Sequence, residues 1–204
     1  LEQAMEEANF SVEYIRNLRT TLEHNILLGN VPEIMEKIKK YGIIINVNAG
    51  MLRDVPENIK DYGEELRKFA MPLKTWINDG VRVSFEAAGT DFWNPIYTLV
   101  TRKIELRQPV GAPPSAGRGE TVELLPEEGI DRVTGLKMAT TWASEYMMAE
   151  DTLGTLEPGK YADFAVLEKD FFTIPIEEIR DLQVIATGLN GEFVYDLYNL
   201  DRAN

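Results

Sequence analysis

The chain contains no cysteine, which excludes a disulfide framework, a thiolate metal site and a cysteine nucleophile, while leaving the redox compartment open. Histidine is almost as scarce. One imidazole in 204 residues leaves little for a metal centre or for proton transfer near neutral pH. Cations are also in deficit: 21 Lys and Arg stand against 34 Asp and Glu, giving a net charge of −13 and a pI near 4.6. Such a surface repels phosphate backbones and anionic headgroups over about a Debye length, so nucleic acid and membrane are poor partners. The densest basic group, Lys37, Lys39 and Lys40, reads as a solvated helix face. No apolar run reaches the roughly 18 residues needed to cross a bilayer. The opening residues Leu1 to Glu7 lack the basic and apolar regions of a secretory leader, so a cytoplasmic location is the expectation. The first residue is not Met and falls within a helical pattern, which implies that the sequence begins inside a larger unit.

What is present suffices for a core: 44% of the residues are hydrophobic, including three Trp, eight Tyr and eight Phe. Leu1, Met5, Ala8 and Val12 give an amphipathic helix over residues 1 to 17, and Leu18 to His24 a short strand. The spacing of Ile34, Met35 and Ile38 predicts a helix over residues 31 to 40, stopped at Tyr41-Gly42. Ile43 to Val47 is apolar without alternation, as in a strand covered on both faces. Residues 56 to 70 permit helix, Pro72 to Asn78 suit a short helix ended by Gly80, and Val81 to Phe85 form the next strand. This alternation predicts a parallel α/β sheet, either open or part of a barrel, yet a complete (β/α) barrel takes roughly 250 residues. Gln108 to Gly119 reads as a long loop rich in Pro and Gly. Glu127 to Met148 reads as helix in two pieces broken near Thr140-Thr141, and strands follow at residues 161 to 167, 184 to 189 and 192 to 195. Asn190-Gly191 joins the last two as a hairpin. The change to strand-rich sequence near residue 150 marks a module boundary, dividing the chain into residues 1–150 and 151–204.

One string is more specific. Leu153-Gly154-Thr155-Leu156-Glu157-Pro158-Gly159-Lys160-Tyr161-Ala162-Asp163-Phe164-Ala165-Val166-Leu167 resembles the signature with which chains of the amidohydrolase superfamily leave their barrel and return to a small β-sandwich. Arg19-Thr20-Thr21-Leu22-Glu23-His24 is similar to the barrel strand that presents a metal-site histidine, Pro72 to Val83 to the approach to the last barrel strand, and Asp170 to Tyr195 to the close of the sandwich. The similarity spans nearly the whole chain and is nearest to the branch of N-substituted formamide deformylases and related amidases. It implies an α/β fold: the last strands of a TIM-type barrel over residues 1–150, then a β-rich sandwich module over 151–204. It also implies metal-dependent hydrolysis of C–N bonds, in which one or two divalent metals, Zn above all, lower the pKa of a bound water and an aspartate moves its proton.

Measured against that pattern, the sequence departs twice. His24 is the only histidine to serve as a metal ligand, and one imidazole cannot hold a catalytic metal tightly, so binding would require ligands from elsewhere. At the last strand the family shows Gly-Ser-Asp-Gly-Thr-Asp or a close variant, whereas this chain has Glu86-Ala87-Ala88-Gly89-Thr90-Asp91. Aligned through Gly89-Thr90-Asp91, the catalytic aspartate falls on Ala88, whose methyl group neither accepts a proton nor binds a metal; Glu86 and Asp91 are the candidate substitutes, or plain loop carboxylates. In a regular strand Glu23 points away from His24, toward a helix or the surface. Trp93-Asn94-Pro95 with Tyr97 covers a core edge or lines a pocket, and Met138, Met147 and Met148 with Trp142 and Tyr146 read as helix packing.

The expectation is therefore the C-terminal portion of a metal-dependent amidohydrolase, inactive as an isolated chain, whose parent enzyme takes a small-molecule amide. A half-built barrel exposes sheet edges, so association is expected, either with a missing N-terminal half or between two copies. The alternative is a non-catalytic remnant serving as a structural, interaction or small-molecule-binding module.

Overall fold

The computed structural model describes residues 1–87, 92–106 and 119–200. The first helical stretch is two helices, α1 (Glu2–Ala8) and α2 (Val12–Asn17), because Asn9 turns left-handed at φ 55° and Ser11 caps the second by accepting from Tyr14 N. Helix α3 (Pro32–Tyr41) opens on a proline and ends at Gly42, which takes φ 63°. Its buried Met35, Ile38 and Tyr41 recur at the spacing of one helix face. Helices α4 (Val55–Tyr62) and α5 (Leu73–Asn78) follow, with 3₁₀ turns at Ala49–Asp54 and Glu64–Phe69 flanking α4.

Strands β1 (Thr21–His24), β2 (Ile44–Val47) and β3 (Arg82–Phe85) form the expected parallel sheet in the order β1-β2-β3. Every residue of β2 is buried. The register aligns Leu22 with Ile45 and Val83, and Glu23 with Asn46 and Ser84. Neighbouring rows face opposite sides of a pleated sheet, so the apolar row packs on helices while the polar row projects from the other face.

Helix α6 (Trp93–Thr101) runs into Arg102, a fully buried residue at φ 59° that donates to the carbonyls of Leu124, Met71 and Ala70 at 3.0, 3.3 and 2.9 Å. The strands β4 (Lys103–Glu105) and β5 (Thr121–Glu123) pair antiparallel. This pairing was not expected from the sequence, because each strand is three residues long and flanks a stretch rich in Pro and Gly. Helices α7 (Arg132–Ala139) and α8 (Thr141–Tyr146) break at Thr140 as anticipated, with Asp131 capping α7 by accepting from Thr134 N at 2.8 Å.

The last module is an antiparallel sheet in the order β6-β7-β8, comprising β6 (Phe164–Leu167), β7 (Val184–Leu189) and β8 (Glu192–Asp196). Asn190 at φ 51° and Gly191 at φ 83° make the predicted two-residue hairpin turn, both residues left-handed as that turn demands. The segment between β6 and β7 is tied to the rest: Arg132 donates to the carbonyls of Phe171 and Ile174, each at 2.6 Å, and Trp93 packs on Phe171 with ring centroids 5.5 Å apart. One apolar cluster thus runs from α3 and β2 through α5 and α6 to Phe171, Ile174, Ile179 and Leu182.

Candidate functional site

The polar face of the parallel sheet gathers at the C-terminal ends of its strands. Ser84, fully buried, donates its hydroxyl to Asn46 Oδ1 at 2.8 Å. Asn46 Nδ2 reaches Glu23 Oε2 at 2.7 Å and Glu86 Oε2 at 3.3 Å. One position past the end of β2, Asn48 accepts from Gly50 N at 3.1 Å and donates to Glu86 Oε1 at 2.6 Å. His24 Nε2 lies 3.1 Å from that same oxygen, and Tyr146 of α8 donates to Glu23 Oε1 at 3.1 Å. Three strands and one helix therefore supply a continuous network.

Its electrostatics follow from this wiring. Partial burial pushes the Glu23 carboxyl up, but hydrogen bonds from Asn46, Thr21 and Tyr146 outweigh it and hold the group below the usual carboxylate range. Tyr146 is pushed up, by burial first and then by its bond to the Glu23 carboxylate. Outside the network, Arg19 grips Glu150 with both terminal nitrogens and draws that carboxyl down to about 2.

Of the residues singled out in the sequence, His24 and Glu86 come together, whereas Ala88 and Asp91 lie outside the described residues. The helix contact expected for Glu23 is present, through Tyr146; what differs is that its side chain also joins the same network as His24. Regular alternation fails because His24 has φ 68° and Asn25 φ 38°, a left-handed pair that swings the imidazole round toward Glu86. This turn leaves Asn25 Nδ2 buried without a hydrogen-bond partner. Asn46, Asn48 and Ser84 were not anticipated; the only available signal was three polar residues in or beside strands whose apolar partners mark them as buried.

Trp93 and Tyr97 are buried and cover a core edge. Met138 and Trp142 pack inward as expected, but Met147 and Met148 are exposed, since they follow the end of α8 where Met148 turns out at φ 56°. An apolar groove of about 690 Å³ lies between α7, α8 and the β6–β7 strands, lined among others by Trp93, Leu136, Met147, Leu153 and Phe164. It is separate from the network.

The donor set can be tested for a cation. Both oxygens of Glu86 and both of Glu23 already accept hydrogen bonds from the network. Among the described residues no group of three or more His, Asp or Glu is arranged to hold a metal ion. The described residues do not fit a catalytic metal by themselves.

The sequence profile described as the amidohydrolase family matches residues 4–195. A 5-methylthioadenosine/S-adenosylhomocysteine deaminase of Thermodesulfovibrio yellowstonii is 25% identical over 161 residues, covering 76% of this chain and 31% of that protein. Among solved structures, an uncharacterized metal-dependent hydrolase from Pyrococcus furiosus superposes with a TM-score of 0.59 at 24% identity, covering 84% of this chain and 31% of that one. An adenosine deaminase from Xanthomonas campestris with bound Zn gives a TM-score of 0.56 at 15% identity, covering 92% and 40%. These structures share the fold, and the chain spans about a third of the length of the curated relative it matches. With nearly all of its residues inside the family profile, the chain belongs to the amidohydrolase family.

Proposed function

We propose that this chain forms the late strands of a metal-dependent amidohydrolase barrel and its sandwich module, residues 1–150 and 151–204, and that the parent enzyme hydrolyses C–N bonds of a small amide or amino-substituted substrate. One observation carries the reading: the polar side chains of three successive parallel strands meet at the strands' C-terminal ends, where (β/α) barrels place their chemistry. The deaminase relative supports C–N cleavage, and the Zn-bound neighbour supports a divalent metal in the family. The branch and substrate class follow no further than this.

Such a metal supplies an activated water when bound. What this chain's residues do is narrower: Asn46 and Asn48 hold the Glu86 carboxylate, and Glu86 holds His24 at the rim, 50% of its side chain exposed. With both carboxylates already engaged in the network and a single imidazole in the sequence, we expect the chain alone to be inactive. The exposed edge strand β1 and the outward-facing β8 support association, with an N-terminal portion carrying the missing strands or with a second copy.

The test is an assay of the purified chain with Zn or Mn against 5-methylthioadenosine, N-formyl amines and N-acyl amines, with its mass in solution measured alongside. The expected result is no turnover above the uncatalysed rate. Turnover abolished by His24→Ala would sink the claim of inactivity. The second reading, a remnant kept as a binding or structural module, is favoured by the same engaged carboxylates and predicts that supplying an N-terminal portion restores nothing.

A further inference from the structure

We infer that Glu86, locked by two amides, fills the space beside His24 Nε2 and closes this end of the sheet as a hydrogen-bonded network in place of a metal site. The inference deepens the reading above and rests on the same site. Its basis is the orientation of the two amides. Gly50 N can only donate, so the Asn48 atom facing it at 3.1 Å is Oδ1, and Nδ2 must turn to Glu86 Oε1. Asn46 sits between the carboxylates of Glu23 and Glu86; reversing its amide would press Oδ1 against both, so Nδ2 faces them and Oδ1 takes the Ser84 hydroxyl. The Glu86 backbone is fixed as well, its N–H donating to Val47 O at 3.0 Å.

His24 Nε2 lies 3.1 Å from Glu86 Oε1, the oxygen that also accepts from Asn48 Nδ2 at 2.6 Å, so the carboxylate stands where a cation approaching Nε2 from this side would sit. For a metal to sit there, the His24–Glu86 contact must break, and the cation must settle against amide hydrogens held in place from behind. In a co-ligand arrangement the opposite holds: a shared cation would draw Nε2 and the carboxylate together, and Glu86 would strengthen binding.

The two arrangements differ in sign. Zn affinity of the chain and of Glu86→Ala is measured by calorimetry, while the long-range ¹H–¹⁵N spectrum at pH 8 follows His24, whose signals are assigned by composition because it is the sole histidine. The expected result is that Glu86→Ala binds Zn as well as or better than the parent chain, and that equimolar Zn leaves the parent His24 signals unmoved. Loss of affinity of about tenfold or more in Glu86→Ala, or a His24 signal that Zn shifts at equimolar concentration, would overturn it. Should Glu86→Ala not fold, Glu86→Gln asks the same question, since an amide binds cations far less well than a carboxylate of equal volume. Tight Zn binding through Glu86 would defeat this inference and leave the family reading standing; hydrolysis by the isolated chain would defeat the proposed inactivity instead.

Discussion

The two main sheets of this molecule are built from similarly apolar sequence and end in opposite environments. In the parallel sheet, β2 is wholly buried and its neighbour β3 is exposed only at Arg82. In the antiparallel sheet, β8 is exposed at four of its five positions, and no β8 residue belongs to the apolar core among the described residues. Burial of β2 and most of β3 makes the middle of the first sheet intolerant of change, while its polar network runs from buried Ser84 and Asn46 out to exposed His24. The second sheet is held by its hairpin and by the segment packed on Trp93 and Arg132, leaving β8 Phe193, Val194 and Tyr195 outside.

The contrast can be broken or sharpened by mutation. Ile45→Ala, at a site with no exposure in the middle strand, is expected to cost about 2–5 kcal/mol in denaturant unfolding. Asn46→Ala removes the bridge between Ser84, Glu23 and Glu86, and should cost about 1–3 kcal/mol by leaving buried polar groups unpaired. A much smaller loss would mean that the network is looser than its geometry. Smaller again is the Arg19–Glu150 pair. Glu150 has a folded pKa of about 2 against an ordinary 4.5, so its contribution is present above about pH 4.5 and is lost as pH falls toward 2. Arg19→Ala should flatten that part of a melting-temperature profile against pH. At the other extreme, Val194→Ala on β8 should change stability by no more than about 0.5 kcal/mol. A loss comparable to that of Ile45→Ala would show that β8 is covered in solution, and a concentration-dependent loss would identify a second copy as the cover.

Much of the fold was legible because its signals are local. Gly42 needs only its own left-handed angle to end α3, and Asn190-Gly191 needs only two such angles to turn the hairpin. The break at Thr140 and the unalternating run of β2 were readable for the same reason. The break at Asn9 was missed, since the helical spacing of Met5 and Val12 continues across it. The site was half legible. His24 and Glu86 were picked from resemblance and proximity in sequence, but Asn46 bonds to Glu23 and Glu86 only through a strand register set by residues 23 and 40 positions away. The left-handed angle at His24 has no signature in Leu22-Glu23-His24, and it decides which way the imidazole faces.

Arg102 has a consequence for how this protein can vary. Its guanidinium ties two separate backbone stretches, Ala70-Met71 and Leu124, to the end of α6, and the β4–β5 pair starts just beyond it. One substitution at position 102 would strip three buried carbonyls of their donor at once, so this residue leaves little room for exchange.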